Sequence, residues 1–336
     1  MNKKSVLVVG AGGFIGGFIV KQGLERGYDV YAAVRSSTSR KYLADSNIHF
    51  INVDYSSYDS IVESLRAALP AEGKWNYIIY NLGATKCANF NDFNTINYLY
   101  LRDFVDALHA LEAVPERFLF MSSLSALGAY GEDNGAPADA STVPMPNTRY
   151  GLSKIKAETY LQTCSWLPWI IFRPTGVYGP HEQDYLMMIK SIDRHFDFGI
   201  GFKEQKLTFI YVDDLVNAMY DAIASEATVH HKYIISEPRA YTQREFRKMV
   251  AKALGVRFVI PVKLPLWAGA VASWVSEKVA AFSGKAATLN SDKFTIMRQR
   301  NWTCSVEDAV RDFGFRCEYP LPRGLDITVK EYLRSK

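Results

Sequence analysis

Tyr150 and Lys154 stand four residues apart in Tyr150-Gly151-Leu152-Ser153-Lys154. On a helix that spacing puts a phenol and an ammonium on one face, one turn apart. A free phenol titrates near pH ~10 and is a poor base at neutral pH. A neighbouring lysine cation and a nicotinamide cation would both favour its phenolate. Such a pair moves a proton while hydride leaves or joins a carbon, and the lysine also reaches the nicotinamide ribose. A second Tyr-x-x-x-Lys, Tyr332 to Lys336, falls among the last residues, where no pocket is expected.

The redox partner of such a pair is a dinucleotide, and the start of the chain offers a cradle for one. Val6-Leu7-Val8-Val9 runs into Gly10-Ala11-Gly12-Gly13-Phe14-Ile15-Gly16. This reads as a buried strand, a glycine turn and a helix N-terminus, whose free backbone N–H groups hold a pyrophosphate. Gly10, Gly12, Gly13, Phe14, Ile15 and Gly16 are therefore candidate cofactor contacts. Beyond the second strand stands Arg35-Ser36-Ser37-Thr38-Ser39-Arg40, with no acid. An acid there binds the ribose hydroxyls of NAD, whereas an arginine accommodates a 2′-phosphate. Arg35 thus favours NADP(H) over NAD(H). Asp54, after the third strand, is a candidate acceptor for the adenine amino group, with Tyr55 beside it. Leu82, Gly83 and Ala84 follow the fourth strand, where glycine again permits close approach.

These residues need a scaffold that brings strand ends together. Short apolar runs at 5–9, 29–34, 48–53, 77–81, 117–121 and 169–172 alternate with helical patterns at 14–26, 57–69, 91–113 and 149–164. Alternation of this kind predicts an α/β Rossmann-type fold, a doubly wound parallel sheet covered on both faces. Its ligands gather at the carboxyl ends of the strands. After Gly176 the rhythm breaks. Residues 178–201 read as loop plus a Met-rich helix, 206–212 as a strand, and 213–224 as a helix. From Tyr241 onward the pattern is mostly helical. The expected division is 1–176 plus about 206–236 for the NADP-binding domain, and about 177–205 plus 237–336 for a smaller, mostly helical substrate lobe.

Composition sets outer bounds. The chain has 336 residues, 48% hydrophobic and 22% charged, with net charge +4. That balance fits an anionic cofactor but is too weak and dispersed for nucleic acid. The four cysteines form no metal-ligand spacing and read as free thiols in a reducing, cytoplasmic setting. The apolar run after Lys3-Lys4 is too short for a signal peptide and is better used as the first strand. The stretch 264–282 is interrupted by Glu277 and Lys278, so an amphipathic helix packed on the protein is expected rather than a membrane span. A lid over an apolar substrate or a membrane-surface contact remains the alternative.

Taken together, the chain resembles the extended short-chain dehydrogenase/reductase family, also called the NAD-dependent epimerase/dehydratase family. The resemblance rests on GAGGFIG at 10–16, NLGA at 81–84, SSLSALG at 122–128, YGLSK at 150–154, FRPTGVYGP at 172–180 and FIYVDDLVNAM at 209–219. It implies Ser123, Tyr150 and Lys154 as the catalytic set, with Ser125 the alternative serine. It also implies Asn97 as a structural or proton-relay residue and Lys86 near the cofactor. Pro174, Thr175, Gly176 and Val177 would line the nicotinamide. Members acting on nucleotide sugars often carry an Asn and an Arg where this chain has Gly176 and Leu207. The tail is similar to the 3β-hydroxysteroid dehydrogenase and dihydroflavonol reductase branches. The resemblance therefore implies a carbonyl reductase or alcohol dehydrogenase on a small apolar, steroid- or flavonol-like substrate. The alternatives are a nucleotide-sugar epimerase with tightly held NAD and a non-catalytic NADP-sensing protein. A homodimer through 91–113 and 149–164 is a family expectation.

Other residues read as ordinary structure. His181 is an exposed loop residue or a substrate contact, and His230-His231 a solvated turn without a third metal ligand. Met187, Met188, Trp267 and Trp274 read as core. Asp213-Asp214 reads as a helix cap. No metal is expected.

Overall fold

The computed structural model describes residues 3–87, 89, 91–283 and 289–336. Its strands, in chain order, are β1 Ser5–Val9, β2 Asp29–Val34, β3 His49–Asn52, β4 Tyr77–Tyr80, β5 Arg117–Met121, β6 Trp169–Pro174, β7 Gly176–Tyr178, β8 Phe196–Ile200, β9 Lys206–Leu207, β10 Phe209–Tyr211, β11 His231–Ile235, β12 Tyr241–Thr242 and β13 Ile260–Leu264. The helices are α1 Phe14–Glu25, α2 Tyr58–Ala68, α3 Asn91–Asn94, α4 Tyr100–Ala110, α5 Arg149–Thr163, α6 Gln183–Asp193, α7 Val212–Ala224, α8 Gln243–Leu254, α9 Leu266–Ser283, α10 Ser291–Arg298, α11 Glu307–Phe313 and α12 Leu321–Arg334.

Seven strands form one parallel sheet in the order β11-β6-β5-β4-β1-β2-β3. The doubly wound α/β expectation holds. Strand β1 shows why: Val6 and Val8 join the core on one face, Leu7 and Val9 the core on the other. A strand buried on both faces reads as a continuous apolar run rather than an alternating one. Winding reverses between β1 and β4, so the loops after these two strands diverge and leave a crevice at their carboxyl ends.

Four expectations need correction. The last sheet strand is β11, paired with β6. His231 thus begins a strand, and the imidazole of the adjacent His230 lies 2.9 Å from the Leu167 carbonyl. Residues 206–212 do not join the main sheet: β9 pairs with β12 and β10 with β7. Met187, Trp267 and Trp274 are not core but 46%, 72% and 60% exposed. Helix α9 is apolar nearly all round, so periodicity gave no signal for its buried face. Asp213 and Asp214 lie in the first turn of α7, whose cap is Tyr211, and Asp214 accepts the N–H groups of Glu318 and Tyr319.

Candidate functional site

The glycine turn after β1 is shaped by close backbone approach. Gly10 has φ +84°, and a Cβ there would sit 2.8 Å from the Leu82 nitrogen in the loop after β4. The two loops of the crevice therefore touch at a position only glycine fills. A Cβ on Gly16 would collide with the Gly10 carbonyl and lie 2.7 Å from that of Ala11. Gly13 caps α1 without any side-chain bond, and no acid stands in the first turn. The N-terminus, with Phe14 and Ile15 as its first residues, is thus a positive dipole end suited to a pyrophosphate. The cradle fits a dinucleotide. Gly16→Ala should cost about 1–3 kcal/mol by overpacking, with weaker NAD(P)H binding by titration and unchanged far-UV circular dichroism.

Arg35 leaves β2 exposed to solvent. Its N–H is held by Thr38 Oγ1 at 3.0 Å and its carbonyl by Thr38 N at 2.9 Å. This tight turn lies over the glycine loop, for a Cβ on Gly12 would collide with the Thr38 methyl. Burial pushes the Tyr55 phenol up, and the Arg35 charge partly opposes that. Tyr55 also packs against Tyr100, ring centroids 4.7 Å apart. Asp54 accepts the Ser56 N–H at 2.9 Å, which leaves its second carboxylate oxygen for a ligand.

Thr148 caps α5 through the Gly151 N–H at 3.0 Å. That fixes Tyr150 as the second helical residue, and its own N–H donates to Asp292 Oδ2 at 3.1 Å. Lys154 follows one turn later, 3% exposed, its Nζ 6.0 Å from the Tyr150 ring centroid and 5.0 Å from that of Phe120. The ammonium donates to the Met121 carbonyl at the end of β5, at 2.8 Å. A Cβ on Gly83 would lie 2.9 Å from the same Nζ, so the loop after β4 closes against Lys154. Asn97 locks this arrangement from a π-helical turn, Thr95–Leu99. Fully buried, it binds both backbone groups of Ala84, at 2.7 and 3.0 Å, and Ser153 Oγ at 2.9 Å.

Ser123 faces the phenol, and its hydrogen bond eases a Tyr150 pKa that burial pushes up. Ser123 also accepts the Ser125 N–H at 3.2 Å. The geometry thus brings Ser123 to the phenol. Within the protein itself desolvation pushes the Tyr150 phenol up, and the opposing influence is the Ser123 hydrogen bond rather than the expected lysine charge. Desolvation also brings the Lys154 pKa down to about 8, against the opposing charge of Glu158. Lys86 pairs with Asp184, with Nζ 2.5 Å from Oδ1. Pro174, Thr175, Gly176 and Val177 continue from the end of β6 into β7, beside the same crevice.

Several supporting groups had only faint sequence signals. Ser122 and Arg173 both bind Glu158 in the interior, beneath the site. Glu158 lies one turn beyond Lys154, a spacing that marks it. Tyr185 carries no such signal, yet its hydroxyl fills the space a Cβ on Gly176 would enter. The second Tyr/Lys pair does no comparable work: Tyr332 and Lys336 both bind Asp193 at the surface.

A parallel sheet with a phosphate cradle, and a Tyr/Lys pair with its lysine buried beside the switch-point loops, defines an NAD(P)-dependent enzyme of the extended short-chain dehydrogenase type. The chain belongs to the NAD dependent epimerase/dehydratase family, whose signature matches residues 6–236. It is 26% identical over 230 residues to a candidate UDP-glucose 4-epimerase of Methanocaldococcus jannaschii, covering 63% of this chain and 71% of that protein. Human short-chain dehydrogenase/reductase family 42E member 1 is 31% identical over 178 residues, 48% of this chain and 42% of that one. The chain therefore spans less than half of the human relative. The Thermus thermophilus UDP-glucose 4-epimerase, solved in complex with NAD, superposes with a TM-score of 0.77 at 18% identity, covering 99% of this chain and 100% of that one. No helix among the described residues is long and apolar enough to cross a membrane. No three His, Cys, Asp or Glu residues among them could hold a metal.

Proposed function

We propose that this protein interconverts a carbonyl and a secondary alcohol with NADP(H), on a small apolar substrate of steroid- or flavonol-like shape. The convergence of Ser123, Tyr150 and Lys154 beside the Gly83 loop carries this reading. Tyr150 gives its proton to the carbonyl oxygen, and the Ser123 hydroxyl donates a hydrogen bond to the same oxygen. Lys154 binds the nicotinamide ribose and offsets the charge left on the phenolate. NADPH supplies the hydride when bound. Pro174, Thr175, Gly176 and Val177 wall the nicotinamide, while Asp54 and Tyr55 meet the adenine.

Arg35, with no acid after β2, supports the 2′-phosphate. Arg35→Ala should lose a charge-assisted contact of about 1.5–3 kcal/mol, weakening NADPH roughly ten- to hundredfold. NADH affinity should change little. Equal losses for both nucleotides would remove Arg35 from phosphate recognition.

Tyr185, whose hydroxyl leaves no room for an asparagine at Gly176, counts against the diphosphate contact that nucleotide-sugar enzymes often make there. A second reading, a nucleotide-sugar epimerase with tightly held NAD, is favoured by the UDP-glucose 4-epimerases among the relatives. Identifying the co-purified nucleotide separates the two. Exchangeable NADPH with net turnover of a ketone, steroid or flavonoid supports the reductase. A non-exchanging NAD with no net redox supports the epimerase.

In this reading 1–176 plus about 206–236 hold the cofactor, and about 177–205 plus 237–336 hold the substrate. Within the second range, 284–288 lie outside the described residues. Four free cysteines, three of them buried, fit a reducing cytoplasm. Dimerisation through α4 and α5 is testable by light scattering.

A further inference from the structure

Helix α9 is built inside out. Trp267, Val271, Trp274 and Val275 follow one helical stripe and are 72, 54, 60 and 45% exposed. The opposite face carries the small and polar groups. A Cβ on Gly269 would lie 2.8 Å from the Phe294 ring, and Ser273 is buried. Glu277 accepts both the N–H and the hydroxyl of Ser291, at 2.7 and 2.8 Å. A soluble helix ordinarily turns its apolar stripe to the core. A contiguous outward patch with two tryptophans marks an interaction surface.

Charge identifies the occupant. From the end of α8 to residue 279 the charged residues are Arg257, Lys263 and Lys278 against a single acid, Glu277, which is turned onto Ser291. Lys278 Nζ sits 5.9 Å from the Trp274 ring centroid, on the apolar stripe itself. Exposed Lys263 stands on the strand leading into α9. Tryptophan flanked by lysine is the composition of an interfacial helix: the rings enter the headgroup boundary and the ammonium groups meet anionic phosphates. A second copy of this face would bring like charge against like charge.

We infer that the outward face of α9 docks on an anionic lipid bilayer, placing the mouth of the site at the membrane surface. The link to the site is short. Helix α10 packs beneath α9, and its Asp292 accepts the Tyr150 N–H. Resting on the reductase reading, this assigns a substrate class: an apolar alcohol or ketone that partitions into the bilayer and is drawn from it.

The test uses the full chain with phosphatidylcholine vesicles, with and without phosphatidylglycerol, read by flotation and tryptophan emission. Binding to the anionic vesicles with a blue-shifted emission is the expected result. Lys263→Ala with Lys278→Ala should weaken binding roughly thirtyfold, and Trp267→Glu with Val271→Glu should abolish it. Failure to float with anionic vesicles overturns the docking. So does a drop in oligomeric size, without lipid, when Trp267 and Val271 are replaced, since that gives the face to a second copy. NADPH titration of the same preparations confirms folding and separates the two ideas. Intact nucleotide binding without flotation overturns the docking alone. Flotation by a protein that binds no nucleotide overturns the reductase reading, and with it the substrate class, but leaves the docking standing.

Discussion

Tyr150→Phe should bind NADPH as the unchanged protein does and turn over its carbonyl substrate about 10²–10⁴ times more slowly. The substitution removes one oxygen and leaves the ring against Phe93, whose centroid lies 6.2 Å away. The helix cap at Thr148 and the bond from the Tyr150 N–H to Asp292 do not involve the phenol. Loss of rate therefore reports the phenol hydroxyl, through its proton and its bond to Ser123. Because burial pushes the phenol pKa up, Tyr150 is fully protonated at neutral pH and ready to act as an acid in carbonyl reduction. Alcohol oxidation needs the phenolate and should gain more from alkaline pH. Stopped-flow loss of NADPH fluorescence, on a carbonyl compound that the unchanged protein reduces, measures the effect in one turnover. A Tyr150→Phe variant within a few-fold of normal would move the proton transfer elsewhere, with Ser123 the first place to look.

The parts of this site that were legible in the sequence are those set by local chemistry. Glycines at fixed offsets after an apolar run can do little else, and a Tyr/Lys pair on one helix face needs only a helix. What escaped depends on pairing between distant segments. Strand β11 begins with His231, a poor strand opener, and is held by pairing with β6 some sixty residues earlier. The run 206–212 looked like one strand because nothing local separates its pairing with β12 from its pairing with β7. The π-turn at Thr95–Leu99 hides inside a continuous helical pattern. Yet Phe93, Asn97, Leu101 and Phe104 fall on one buried stripe, and an asparagine on a core stripe must have polar partners. The sign of the Tyr150 shift also escaped. Spacing shows that Lys154 is near, but only the packed structure shows that desolvation of the phenol sets the sign.

Lys154 should give two pH dependences of opposite sign from one proton. In the folded protein it titrates near 8, against 10.5 for the free side chain. Between those values the unfolded chain binds more protons than the native one, so stability rises with pH across that window. Falling pH removes that contribution by about 8, where the buried ammonium forms. Activity runs the other way, since a neutral amine no longer offsets charge beside the phenol. For carbonyl reduction the free-enzyme profile of kcat/KM should therefore descend with a midpoint near pH 8, while the urea midpoint climbs from about pH 8 towards about 10.5. Lys154→Met keeps the buried stem but removes the charge. It should flatten the stability slope and lower turnover by about 10²-fold or more. A stability slope that persists in the Lys154→Met variant would assign the titration to another group. A flat kcat/KM across the window, with the stability slope intact, would mean that Lys154 holds the Met121 carbonyl and the Gly83 loop in place without lending its charge to Tyr150.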